Sequence, residues 1–209
     1  MLRFSTTQKW NPSFYKHIHN VQSSILGQLY LPPPPDNSSD KTRQELRELL
    51  HKQDNRTTDQ IMDILRQRTF DHMIKDYGIT EKDLQLCILW DNMISPYIFH
   101  FKNHFDRVRP SFLEKKMIPC IEVPNHPAYP SGHSTQNYFF ALILGDKYPE
   151  RRSEFLKVSE QVAINREYAG VHYHTDTVAG QSLAIQLYKI YKDNDVDGDI
   201  VKLLTNLKI

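Results

Sequence analysis

Residues 84–94 read LQLCILWDNMI, and the segment around them, from Glu81 to Arg109, decides the fold. Apolar side chains fall on most sides of that run, as in a helix packed near the centre of a protein rather than on its surface. The pattern predicts one long helix over 81–109, bent or broken near Pro96. Thr80 and Asp83 have the spacing of an N-terminal cap, and Gly78 suits the stop of the helix before it.

Outward from this segment the chain stays helical. Upstream, Phe14, Ile18, Val21, Ile25 and Leu29 step at helical spacing. LPPPPD, Leu31 to Asp36, must then be extended, because proline lacks the N–H a helix needs. A charged helix with Leu46, Leu49 and Leu50 follows. Thr57 with Gln60 has capping-box spacing and predicts a helix carrying Ile61, Ile64, Leu65, Met73 and Ile74. Downstream, Ser111 to Tyr129 reads as a proline-bearing loop with one apolar piece, MIPCIEV. Further helices are expected from near His133, from Pro149, and from about Thr175 to Tyr191. The expectation is an all-α, single-domain helical bundle over 1–209, of six to nine helices. Residues 1–35 form its N-terminal helix and proline-rich segment, and 81–192 its catalytic core.

Composition narrows the function. Hydrophobic residues make up 39% and charged residues 24%, as in a soluble globular protein. With 26 basic against 25 acidic residues the net charge is +1, so neither nucleic acid nor an anionic membrane is expected as the main partner. No stretch reaches the roughly 18 uninterrupted apolar residues of a membrane helix. The N-terminus has no apolar signal region. Cys87 and Cys120 provide neither a disulfide framework nor zinc spacing, which fits a reducing, cytoplasmic setting.

Three separated pieces carry groups suited to phosphoryl chemistry. In KNHFDRVRP, Lys102 and Arg109 lie seven apart, nearly two helical turns, which puts both on one helix face, and Pro110 frees the chain to turn away. In PSGH, Ser131 can cap a helix or bond an oxyanion, Gly132 admits a close backbone N–H, and His133 can protonate a leaving oxygen. In REYAGVHYHTD, His172 and Asp176 are four apart, so on a helix the carboxylate reaches one imidazole nitrogen and leaves the other as nucleophile. Arg166 adds a fork matched to two phosphate oxygens. Each piece alone is also an ordinary basic face, helix cap or helix ion pair. Together they describe one anion site.

The combination resembles the signature of the type-2 phosphatidic-acid phosphatase and vanadium haloperoxidase superfamily: K-x6-RP, then PSGH, then SR-x5-H-x3-D. Order and internal spacings match, with Asn165 where that family usually has Ser. LYLPPPPDNSSDKTRQELREL is similar to the LPPPP segment of bacterial class A non-specific acid phosphatases, which are small, soluble and all-helical. The resemblance implies a metal-independent phosphatase acting on small water-soluble phosphomonoesters, with no cofactor and with vanadate as an inhibitor. It implies His172 as the phosphorylated nucleophile, Asp176 as its orienter and His133 as the proton donor. Lys102, Arg109, Arg166, Ser131 and the Gly132 N–H would hold the phosphate. Class A relatives form oligomers, so a homo-oligomer is expected.

His126 keeps a second reading open. It lies seven residues before His133, where bromide-oxidising vanadium peroxidases of the same superfamily have a histidine, and vanadate would then be a prosthetic group bound to His172. His126 is otherwise a neighbour of the phosphate site or a loop histidine. A non-catalytic phosphate-binding protein on this scaffold is a third reading, which loss of His133 or His172 would have signalled. Asp193 to Ile200 imitates the start of a calcium loop, but Leu204 stands where a bidentate Glu is needed, so an acidic turn is expected. His100 and His104 have helical chelate spacing without a third ligand, and no metal site is expected. His174 and the aromatics Phe105, Tyr129, Tyr168 and Tyr173 flank the motifs, as pocket lining or as core.

Overall fold

The computed structural model describes Trp10 and residues 21–194. Among these the elements are helices: α1 Ser23–Leu26, α2 Asp40–Asp54, α3 Thr58–Arg66, α4 His72–Asp76, α5 Glu81–Phe105, α6 Pro110–Leu113, α7 Gly132–Lys147, α8 Arg152–Tyr168 and α9 His174–Asp193, with a 3-10 turn at Pro149–Arg151 before α8. The all-α expectation is met. Phe14 and Ile18 lie outside the described residues, as does the acidic segment from Asp195 onward.

The long helix forms, with two differences from its expected shape. It passes Pro96 without interruption, because the carbonyl that loses its N–H partner belongs to Asn92, an exposed residue that water can serve. It stops at Phe105 rather than continuing to Arg109. Asp106 takes φ 48, a left-handed conformation that Asp tolerates better than most residues, while its N–H still bonds the Lys102 carbonyl at 3.0 Å. Arg109 therefore leaves the helix and becomes the residue before α6, with Pro110 in its first turn. Lys102 and Arg109 do not share a helix face.

The start of α5 is built as the sequence predicts. The Asp83 N–H donates to Thr80 Oγ1 at 3.2 Å, and the Thr80 N–H donates to Asp83 Oδ2 at 3.1 Å. Thr80→Ala is expected to destabilise the protein by about 1 kcal/mol, read as a lower urea midpoint at unchanged slope.

The helix expected over 57–74 is instead two. Thr57 caps α3, accepting from the Gln60 N–H at 3.1 Å, but α3 ends at Arg66 and α4 begins at His72. The turn between them sets Phe70 edge-on against Phe140, 5.5 Å between ring centres. Arg66 bridges the two helices, bonding Asp63 at 2.7 Å and also Asp76.

The centre of the bundle is α7, whose residues Phe139 to Gly145 are all buried. It packs chiefly between α8 and α9 and also against α5. At its N-terminal end α9 comes so close that a Cβ on Gly180 would lie 2.7 Å from the Ser131 carbonyl oxygen and 2.8 Å from Ser134 Cβ. The proline-rich segment lies across this core. Leu29 and Leu31 are buried, Tyr129 donates to the Pro32 carbonyl at 2.6 Å, and Gln186 of α9 exchanges two 2.9 Å bonds with the Tyr30 backbone.

Candidate functional site

His172 does not lie on a helix. It stands just before α9, and Asp176 reaches it because Asp176 is the capping carboxylate of that helix. Asp176 Oδ2 accepts from the Tyr173 N–H at 3.0 Å and lies 3.1 Å from His172 Nδ1. A carboxylate on Nδ1 makes that nitrogen the N–H donor and leaves Nε2 with a lone pair. Nε2 lies 3.0 Å from Arg109 Nη1, which can only donate, so both contacts favour the same tautomer. The expected pairing is present, produced by a cap rather than by helical spacing.

The other Asp176 oxygen reveals a residue that motif reading passed over. Arg107 donates from Nη1 to Asp176 Oδ1 at 2.6 Å and to Thr175 Oγ1 at 2.6 Å, and from Nη2 to Glu45 Oε2 at 3.0 Å. Its guanidinium lies 3.8 Å from the centre of the Tyr173 ring. Glu45, on α2, also accepts from the Thr175 N–H at 2.7 Å. Arg107, Glu45 and Asp176 are all buried. A buried guanidinium between two buried carboxylates thus fixes the group that fixes His172. The signal in the sequence was slight: a third basic residue inside KNHFDRVRP, and an acidic residue on a helix that reads as solvent-facing.

The three expected phosphate cations are buried together, in different situations. Arg109 donates to the carbonyls of His126 at 3.0 Å and Val171 at 2.7 Å, besides its contact with His172. Lys102 donates to the carbonyls of Pro127, Ala128 and Pro130 at 2.9, 3.2 and 2.6 Å, so its ammonium holds the chain leading into α7. Arg166 donates from Nη2 to the Ile64 carbonyl at 3.0 Å, and its buried Nε has no hydrogen-bond partner among the described residues. Ser131 caps α7, accepting from the Ser134 N–H at 3.3 Å, and its own N–H donates to the Asp176 carbonyl at 3.0 Å. Gly132 opens α7, where a Cβ would lie 4.0 Å from Lys102 Cε.

A cavity of about 330 Å³ runs along this group. His126, His133, Arg166 and His172 line it, with Arg68 and the 121–125 stretch forming the rest of its wall. Lys102, Arg109 and Ser131 are almost wholly enclosed. His126 is thus a cavity residue, 3.1 Å from Arg109 Nη2 and edge-on to Phe99. Burial and the nearby cations Arg109 and Lys102 hold His172 well below the usual histidine range. Burial, then Arg166, does the same for His133, and burial, then Lys102, for His126. Desolvation also pulls Arg109 and Arg166 down to about 10, so both stay charged at neutral pH. A site that crowds cations and disfavours further protons is matched to an anion.

That electrostatic arrangement has a consequence for stability. Histidines depressed in the folded state take up protons first in the unfolded chain, near its ordinary value of about 6.5. Their stabilising contribution is complete above about pH 6.5 and is lost as pH falls below it, at up to about 1.4 kcal/mol per pH unit for each histidine. The melting temperature is therefore expected to fall between about pH 7 and about pH 5, and inorganic phosphate is expected to reduce that fall. Thermal scans with and without phosphate measure both.

The remaining candidates are structural. Asn165 donates to Gln67 Oε1 at 2.8 Å, tying α8 to the end of α3. His174 pairs with Glu167 at 3.1 Å. Tyr129 and Tyr173 are buried, and Phe105 stands edge-on to Tyr129, so these aromatics are packing. His100 and His104 stand edge-on to Phe101 and Phe105, and no group of three or more His, Cys, Asp or Glu side chains that could hold a metal occurs among the described residues. None of the described helices is long and apolar enough to cross a membrane.

The PAP2 superfamily profile matches residues 84–192, more than half of the chain. An acid phosphatase of Zymomonas mobilis is 29% identical over 93% of this chain and 78% of its own length. A vanadium-dependent bromoperoxidase of Ascophyllum nodosum is 33% identical over a shorter stretch, 27% of this chain and 15% of that protein. Among solved structures, a transmembrane PAP2-type phosphatidylglycerolphosphate phosphatase of Bacillus subtilis shares the fold, with a TM-score of 0.56 and 18% identity over 88% of this chain and 95% of that one.

Proposed function

The chain belongs to the PAP2 superfamily, and from that premise we propose that it is a phosphatase hydrolysing phosphomonoesters through a phosphohistidine. The observation that carries this reading is the state of His172. Its Nδ1 is held by Asp176 and its Nε2 keeps a lone pair, in a cation-rich cavity shared with His133.

The steps follow from that placement. A phosphate dianion enters among Arg109, Arg166 and Lys102, and the unpartnered Arg166 Nε donates to one of its oxygens. Arg109 moves its N–H from His172 to the phosphate, which frees the Nε2 pair. Nε2 attacks phosphorus as the P–O bond to the alcohol breaks. Asp176 stabilises the positive charge that develops on the ring. The arriving dianion also raises the depressed affinity of His133 for a proton, so His133 is charged when the leaving oxygen needs that proton. Neutral again, His133 takes a proton from water, which attacks the phosphohistidine and releases inorganic phosphate. Arg109 and Arg166 supply the charge stabilisation, joined by Lys102, whose proton affinity is depressed by burial and by Arg109 and is raised by the arriving dianion, so the proposed reaction is metal-independent.

The first test is turnover of phenyl phosphate by the purified protein, with chelator present and with or without orthovanadate. Hydrolysis that survives chelation and is inhibited by vanadate supports the proposal. Absence of hydrolysis sinks it. The second reading, a vanadate-dependent haloperoxidase, draws on the position of His126 in the cavity wall and on the local similarity to the bromoperoxidase. The same cations and His172 would hold vanadate, which would supply peroxide activation. Bromide oxidation that requires both vanadate and peroxide, without phosphatase activity, would favour it.

A further inference from the structure

A second cavity, of about 640 Å³, also has His133 in its wall. His133 and Arg68 line both cavities, so the two meet at the proton donor. Its wall comes from α5, the 68–70 turn and the first turns of α7, where the motifs contribute only His133 and Gln136 lies outside them. We propose that this cavity receives the alcohol half of the phosphoester, and that its lining selects a polyhydroxylated alcohol, as in a sugar phosphate, over an acyl chain. The proposal rests on the hydrolase reading.

Position is the first argument. If His133 protonates the leaving oxygen, the group attached to that oxygen must extend from His133 away from His172. The larger cavity is lined by His133 but not by His172, Arg166 or His126, so it is the space that meets this requirement. Its volume falls within the range of small-molecule sites.

Chemistry is the second argument. Asp91 stands in this wall beside Ser95 and Gln136. Ser95 Oγ donates to Asp91 Oδ1 at 2.7 Å, and Gln136 Nε2 donates to the same oxygen at 2.7 Å. Both bonds go to Oδ1, which leaves Oδ2 to accept from a ligand. A half-buried carboxylate held in place by two neutral donors is suited to take hydroxyl hydrogens in a fixed direction. Phe70 and Phe99 add apolar surface for the carbon face of a ring. A quaternary ammonium such as choline fits less well, because it has no hydrogen to donate to Asp91 Oδ2 and Arg68 stands on the shared rim. A lipid tail would cover Asp91 Oδ2 and offer it no donor.

The experiment compares kcat/KM for glucose 6-phosphate, phenyl phosphate, phosphocholine and micellar phosphatidic acid, in the wild type, Asp91→Asn and Gln136→Leu. The wild type is expected to favour glucose 6-phosphate over phenyl phosphate, and each substitution to lower that ratio about tenfold, the size of one charge-assisted hydrogen bond. A ratio unchanged in both variants overturns the proposal. So does a wild-type preference for phosphatidic acid or phosphocholine. Calorimetric binding to the His172→Ala protein reads the cavity without turnover. Glucose 6-phosphate is expected to bind tighter than inorganic phosphate, and equal affinity overturns the proposal. Tighter binding by a wild type that hydrolyses no ester would refute the hydrolase reading while leaving the cavity's preference for a polyol intact.

Discussion

His172→Ala is expected to lower kcat for phenyl phosphate by about 10^4-fold or more, the scale seen when a covalent catalyst loses its nucleophile. No neighbour is placed to take over. Asp176 uses one carboxylate oxygen on the His172 ring and the Tyr173 N–H, and the other on Arg107. His133 is assigned to the leaving oxygen in the proposed mechanism, and His126 is bound to Arg109. The substitution removes a buried ring and no buried charge, so the fold should survive. Added imidazole should restore part of the turnover by filling the space the ring leaves. A variant that retains within about tenfold of wild-type kcat would move the nucleophile elsewhere, and His133 and His126 would be the next two residues to replace.

Arg107→Met is expected to destabilise the protein by about 3–5 kcal/mol, because it leaves two buried carboxylates without their shared cation. Denaturant unfolding measures that loss. Activity should fall further than the folded fraction does. Asp176, no longer held at Oδ1, can turn and release His172 Nδ1, and the ring is then free to adopt the wrong tautomer. The pH–rate profile separates this from plain instability, since a purely structural role would scale activity without moving the profile. Pairing Arg107→Met with Glu45→Gln should recover part of the stability and none of the shift in profile, because Asp176 stays unpaired in both.

Periodicity and capping residues made the helices legible, and the motifs named the side chains around the smaller cavity. What spacing missed was how those side chains arrive. Spacing alone puts Lys102 and Arg109, seven apart, on one helix face, yet the left-handed turn at Asp106 ends the helix between them and only the return of the chain reunites them. The i, i+4 spacing of His172 and Asp176 suggests a helical pair, and the two meet through a cap instead. The 57–74 segment hid a turn because its apolar spacing continues through residues that bend to set Phe70 against Phe140. Arg107, Glu45 and Asp91 gave almost no sequence signal. Their importance comes from burial and from partners up to 130 residues distant, as with Glu45 and Thr175. Local periodicity carries no information about contacts of that kind.

The salt bridge from Glu45 to Arg107 also sets the size of the smallest piece of chain that could work alone. Residues 84–192 contain all three motifs, and an excised fragment of that span would look complete by sequence. It would lack the carboxylate that shares Arg107 with Asp176 and anchors the first turn of α9 through Thr175. A peptide spanning α2 to α4, added back in trans, would carry the missing group together with the Ile64 carbonyl that holds Arg166 and with Arg68 of the cavity wall. Complementation of the fragment by that peptide, and its failure with Gln in place of Glu45, would mark α2 as a detachable part of the catalytic unit rather than a decoration on it.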